Sequence, residues 1–355
     1  LLSSPTMIED ADFLVMESTY GDRLHIRNDD KAEMFLNIVY ETLEKGGTVV
    51  IPSFAVGRTQ EILYELNKIK DEKHSEEFYK KYKKLMSIPV FVDSPLAISA
   101  TEVFRENMDL FDDETQAMIK SGDNPLEFPG LKFTRTAEES KELNTMDDSS
   151  IIISASGMCE VGRIKHHLKH HLWDPNSTIL FVGYQAPGTL GRKIVEGAKN
   201  VRIFGEDIAV NARIEYIEGY SGHADQEWLM NFVYSFITKP KHIFLVHGEP
   251  QAQVVLKDKI ESEARIPVTI PSLGESYDLD NDVQLTEIVK QPVKQRYLRL
   301  EVLNKMKTLK EELEDMETIV KEDYLNSDVD DNEIVGLKNK LKELENQIVK
   351  IVENK

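Results

Sequence analysis

Cysteine is nearly absent. Cys159 stands alone among 355 residues, so no internal disulfide can form and no metal site can be built from several thiolates. Long apolar stretches are absent too: no run approaches the ~20 residues that a membrane helix needs. The opening LLSSPTMIEDAD has neither the basic start nor the apolar core of a secretory leader. Together these features predict a cytoplasmic protein with no membrane partner. Positive charge is in deficit, with 43 basic against 63 acidic residues and a net charge of -20. Bulk charge therefore argues against non-specific nucleic-acid binding but leaves room for a local basic groove. With 41% hydrophobic and 30% charged residues, the chain is not wholly disordered. Its length suffices for two or three domains.

What is present is an α/β pattern over about the first 290 residues. Apolar, β-branched runs extend from Thr48 to Phe54, Ile88 to Ser94, Ser150 to Ser156, Ser177 to Gly183 and Lys241 to Glu249. Such runs suit strands buried on both faces, hence a mainly parallel sheet. Helical patterns between them, such as Thr59 to Lys70 and Gly162 to Leu172, complete βαβ units. The tail differs. Val302, Met306, Leu309, Leu313, Met316 and Val320, then Leu337, Leu341, Leu344, Ile348 and Ile351, recur at spacings of three and four. An Asp-rich stretch from Asn326 to Asn332 separates them, which predicts a helical hairpin or coiled coil.

Ligands of open α/β sheets bind beyond the carboxyl ends of the strands. Here those ends read SFAVGR (53–58), DSPLA (93–97), SASGM (154–158) and GYQAPGTLGR (183–192). Glycines admit a ligand to backbone N–H groups, serines donate, and arginines bring a planar charged fork. Ser154, Ser156, Gly157, Arg58, Arg163 and Arg192 are thus candidates for holding phosphates. Taken singly, each loop reads better as a tight turn; four at equivalent strand ends point to a crevice for phosphates.

Two histidines stand where chemistry is convenient. His223 sits in YSGHAD before an amphipathic helix, and His247 follows a strand in VHGE. Glu17, in ESTYGD after the strand-like Phe13 to Met16, offers acid–base chemistry or a means of orienting a histidine. The cluster His166, His167, His170 and His171 has i,i+4 spacing but no acid between its members. It predicts a solvated helix face rather than a zinc motif.

In order, ESTYGDR, SFAVGR, DSPLA, SASGM, GYQAPGTLGR, YSGHAD and VHGE resemble the β-CASP subgroup of the metallo-β-lactamase fold, from about Ala11 to about Gly274. That subgroup comprises RNA-processing nucleases related to the cleavage and polyadenylation endonuclease. The resemblance implies a metallo-β-lactamase part over residues 1–22 and 220–289 and an inserted parallel-sheet cap over 23–219. A helical hairpin over 290–355 follows. It implies a zinc-dependent ribonuclease with two ions and RNA in the cleft between the two parts. Glu17 and His223 would be catalytic, as the motif A acid and the motif B histidine, and His247, the motif C histidine, would be a zinc ligand. The family's His-x-His-x-Asp-His motif does not occur in these 355 residues. The simplest expectation is that the chain lacks an N-terminal portion carrying it and is inactive alone. Alternative readings are a non-catalytic RNA-binding or scaffolding subunit and a small-molecule hydrolase. The tail would serve a homodimer or a protein partner.

Overall fold

The computed structural model describes residues 1–25, 28–71, 74–146, 148–217, 220, 222–279 and 284–286, together with 335, 336, 338, 339 and 342. They belong to two units, Leu1–Ser272 and Leu273–Lys355. In the second unit, Ser276–Asp278 pairs antiparallel with Gln284–Thr286. The hairpin expected over 290–355 lies outside the described residues, apart from the five near its end, which are helical.

Among the described residues the first unit contains eleven strands: β1 (Phe13–Glu17), β2 (Val49–Pro52), β3 (Val90–Val92), β4 (Leu131–Phe133), β5 (Ile151–Ser154), β6 (Thr178–Phe181), β7 (Asn200–Ile203), β8 (Glu206–Ala209), β9 (Arg213–Tyr216), β10 (His242–Val246) and β11 (Val268–Thr269). Six form one sheet in the order β4-β3-β5-β2-β6-β9, with every pairing parallel. Every residue of β2, β3, β5 and β6 is buried, as their continuous apolar sequences require. Alternate side chains feed two cores. Val49 and Ile51 join Leu63, Leu66, Ile151 and Ile153 on one face. Val50 joins Leu168, Ile179, Phe181 and Ile194 on the other.

The helix Arg58–Asp71 follows β2 and Ile164–His171 follows β5, so each of the two patterns read from periodicity is a helix. The edge strands β4 and β9 are only half-buried and carry no continuous apolar run, so the sequence does not announce them. The β7–β8 hairpin also lacks such a run. It turns at Phe204 and Gly205, both with positive φ (50° and 80°), the backbone that a tight hairpin turn demands.

A separate three-stranded parallel sheet has the order β1-β10-β11. Met16, Ile243, Leu245 and Val268 pack against Leu229, Val233, Leu256 and Ile260 of the flanking helices. The register sets Glu17 beside Val246, and this placement brings together two chain segments far apart in sequence.

Candidate active site

Strands β1 and β10 end side by side. Ser18 N donates to His247 O at 3.1 Å, and Ser18 Oγ donates to Val246 O at 2.9 Å. His247 sits at φ 47°, and Gly248 after it leaves no space for a side chain. The third segment enters through the loop before the helix Gln226–Tyr234. Asp225 caps that helix, accepting from Trp228 N at 2.9 Å, and its other oxygen accepts from His25 N at 3.1 Å.

These constraints bring the three side chains singled out by motif together: Glu17, His223 and His247 offer ligand atoms all within 4.8 Å of one another. His223 Nδ1 lies 2.7 Å from Glu17 Oε2. The other carboxylate oxygen accepts from Ala224 N at 3.1 Å, which locks the acid in place. Thr19 Oγ1 donates to Glu17 Oε2 at 2.6 Å and lies 3.0 Å from His247 Nδ1. With its single proton committed to Glu17, the Thr19 hydroxyl accepts from Nδ1–H, and His247 keeps its lone pair on Nε2. The two imidazoles stack with centroids 4.9 Å apart. Glu17 and His223 are paired with each other, so His247 is the donor that fits zinc here, and one imidazole is fewer than a zinc site takes: these residues supply part of such a site. Thr19, His25 and Asp225 carry supporting roles that single motifs do not signal.

The cluster opens on a cleft of about 780 Å³ whose far wall is formed by the ends of β2 and β6, with Phe54, Arg58, Gly183 and Tyr184. Arg58 is 6% exposed, pairs with Glu61 and lies 5.9 Å from the Tyr220 ring centroid. Burial lowers its pKa. Gly157 is buried against the Phe54 ring, where an added Cβ would come within 2.9 Å of it. Ser156, beside it, is half-buried. Arg192 lines a neighbouring cavity and pairs with Glu196 at 2.7 Å.

Two other candidates are engaged in the interior. Ser154 is buried and donates to Asp93 O at 2.8 Å. Arg163 donates to Asp93 Oδ1 at 2.7 Å and to the carbonyls of Thr134 and Arg135. The same carboxylate receives His167 Nε2 at 2.6 Å. The histidine run is therefore not the solvated face expected. His167 is fully buried, and burial pulls His166 and His171 down to about 4, so that both are neutral near pH 7. The reason is packing: Ile164, His167 and Leu168 form the inward face of their helix.

Comparison with known families bears on this geometry. Residues 59–194 match the Beta-Casp domain, and residues 207–271 match a domain described as a Zn-dependent metallo-hydrolase RNA specificity domain. The chain belongs to the β-CASP group of the metallo-β-lactamase fold. Strands β3 to β6 lie within the first β-CASP match, whereas β9 to β11 and His223 and His247 lie within the second. Strand β1, with Glu17, lies outside both. Among β-CASP relatives, the chain is 37% identical over 256 residues to Ribonuclease TTHA0252 of Thermus thermophilus, covering 72% of this chain and 56% of that one. It is 34% identical over 276 residues to the RNase J-like protein of Methanocaldococcus jannaschii, covering 77% and 61%. It is 30% identical over 269 residues to Transcription termination factor FttA of Pyrococcus horikoshii, covering 73% and 39%. The chain thus spans 39–61% of the length of these relatives.

Proposed function

We propose that the protein is a zinc-dependent ribonuclease that hydrolyses phosphodiester bonds in RNA. These 355 residues would supply its proton donor, one metal-binding histidine and much of its RNA-holding surface. The observation that carries this reading is the Glu17–His223 pair at 2.7 Å, set beside His247 on the floor of the cleft. Two relatives named as ribonucleases and a matched RNA specificity domain support it.

Glu17 fixes the His223 ring through Nδ1. The proton on Nε2 is then the one delivered to the leaving oxygen as the P–O bond breaks. His247 would hold zinc through Nε2, with Thr19 steadying the opposite nitrogen. Bound there, zinc would offset phosphate charge and acidify the attacking water. We expect two ions in the active enzyme, which needs donors beyond His247. Arg58, Ser156 and Gly157 would hold the strand by its phosphates. The tail would engage a second copy or another protein, and the lone cysteine suits a reducing cytoplasm.

The experiment compares His223→Ala with His247→Ala in the full-length protein, measuring both RNA cleavage and zinc content. His223→Ala is expected to lower kcat by about 10²–10⁴-fold while retaining zinc. His247→Ala is expected to lose both. Equal zinc loss in the two variants would overturn the division of roles.

A further inference from the structure

Beside the active cleft lies a second cavity of about 250 Å³, lined by Arg23, Arg192 and Tyr216. The two cavities share two residues, Tyr184 and Glu249. Tyr184 follows β6 on the six-stranded sheet, and Glu249 follows β10 on the three-stranded sheet, two residues after His247. The Tyr184 hydroxyl donates to Glu249 Oε1 at 2.5 Å. One hydrogen bond thus spans from one sheet's loops to the other's, at the wall between the cavities.

We propose that the second cavity is a subsite for a nucleotide of the RNA strand beyond the cleaved bond, and that Tyr184 and Glu249 form the gate through which the strand reaches it. The proposal rests on the ribonuclease reading above. Its physical basis is threefold. The cavity combines two guanidinium groups with two phenol rings, which are groups that bind phosphates and stack on bases without regard to sequence. One of its charges is exchangeable: Arg192 is held by Glu196, an exposed partner whose ion pair contributes little, so a phosphate can replace that carboxylate, whereas Arg23 is held by both oxygens of its neighbour Asp22. The gate is openable, because the Tyr184–Glu249 bond is solvent-exposed and both residues sit on loops. While it is shut, Glu249 sets a carboxylate at the wall that a polyanion would have to cross.

The test measures dissociation constants of the protein for a ladder of uncleavable 2′-O-methyl oligouridines of increasing length. The wild type should gain affinity at the length where the strand first passes the gate. Tyr184→Phe keeps the ring and removes the latch. It should strengthen binding of oligomers beyond that length by several-fold and leave shorter ones unchanged. Arg192→Ala should weaken only the longer ones. If short and long oligomers respond equally to both substitutions, the subsite is overturned while the ribonuclease reading stands. If the wild type binds no oligomer of any length, RNA is not the ligand, and both readings fall.

Discussion

The Asp93 carboxylate is fully enclosed, yet it accepts from His167 Nε2, Ser140 Oγ, Arg163 Nη1 and Thr134 Oγ1. Burial alone would raise its pKa. The hydrogen bond and charge of His167, then the hydroxyls of Ser140 and Thr134, outweigh that effect and hold the carboxyl at about 2. A carboxyl depressed from 3.8 to about 2 on folding stabilises the native state above pH ~4, by about 2 kcal/mol. That contribution is lost as pH falls from about 4 to about 2. Asp93→Asn leaves His167 and Arg163 facing a neutral amide and is expected to cost about 3–5 kcal/mol at pH 7. Urea denaturation of both proteins checks this. The gap between them should narrow once the wild-type carboxyl protonates, and a gap that persists undiminished at pH ~3 would contradict the assignment.

Two strand ends and one helix start make the candidate active site. Strands β1 and β10 can end in register only because Gly248 presents no side chain to Ser18. A Cβ there would lie 2.5 Å from Ser18 Oγ and 2.7 Å from Ser18 O. Gly248→Ala must therefore displace the β1 end, and with it Glu17 and Thr19. Cleavage is expected to fall at least ~10-fold, since small misplacements of catalytic groups are costly. Gly197 is the comparison: its φ is in the left-handed region, at 88°, and an added Cβ meets nothing. Gly197→Ala should cost about 1–2 kcal/mol of stability and leave the kinetics alone. Parallel thermal melts and kcat measurements separate the two effects. Comparable kcat loss in both would show that Gly248 acts through stability, not through the site.

At the scale of the molecule, a net charge of -20 must be reconciled with the polyanionic substrate proposed above. The cations that line the two cavities stand beside acids, Arg58 with Glu61 in the cleft and Arg23 and Arg192 with Glu196 and Glu249 in the cavity beside it, so RNA phosphates would have to displace those carboxylates. Each phosphate contact releases counterions, so RNA affinity is expected to fall steeply with salt. Arg192→Ala should weaken binding regardless of RNA sequence and flatten the slope of log affinity against log salt by about one unit. Arg163→Ala belongs to a different class. Its guanidinium is tied to buried Asp93, so its loss should first appear as a lower Tm. A salt titration of both variants distinguishes them. An unchanged slope in Arg192→Ala would remove that arginine from the RNA path.

The strands of both sheets' interiors were legible from the sequence, because burial on both faces requires unbroken apolar, β-branched runs, and that is a local property. Helices after β2 and β5 were legible for the same kind of reason, through periodicity. Glu17, His223 and His247 stood out by residue type at strand and helix ends. Edge strands β4 and β9 did not stand out, since half-exposed strands need no continuous apolar run. Nor did the role of Asp93, which reads as an ordinary turn acid until β3, the Ile164–His171 helix and the loop after β4 close around it. The pairing of Thr19 with His247 was decided by the parallel β1–β10 register, and the distance between Glu17 and His223 by the docking of the loop before the Gln226–Tyr234 helix, through Ala224 and Asp225. Local sequence sets which segments become strands and helices. It carries no information about which distant segment lies alongside, because that choice depends on how buried faces pack across more than two hundred intervening residues.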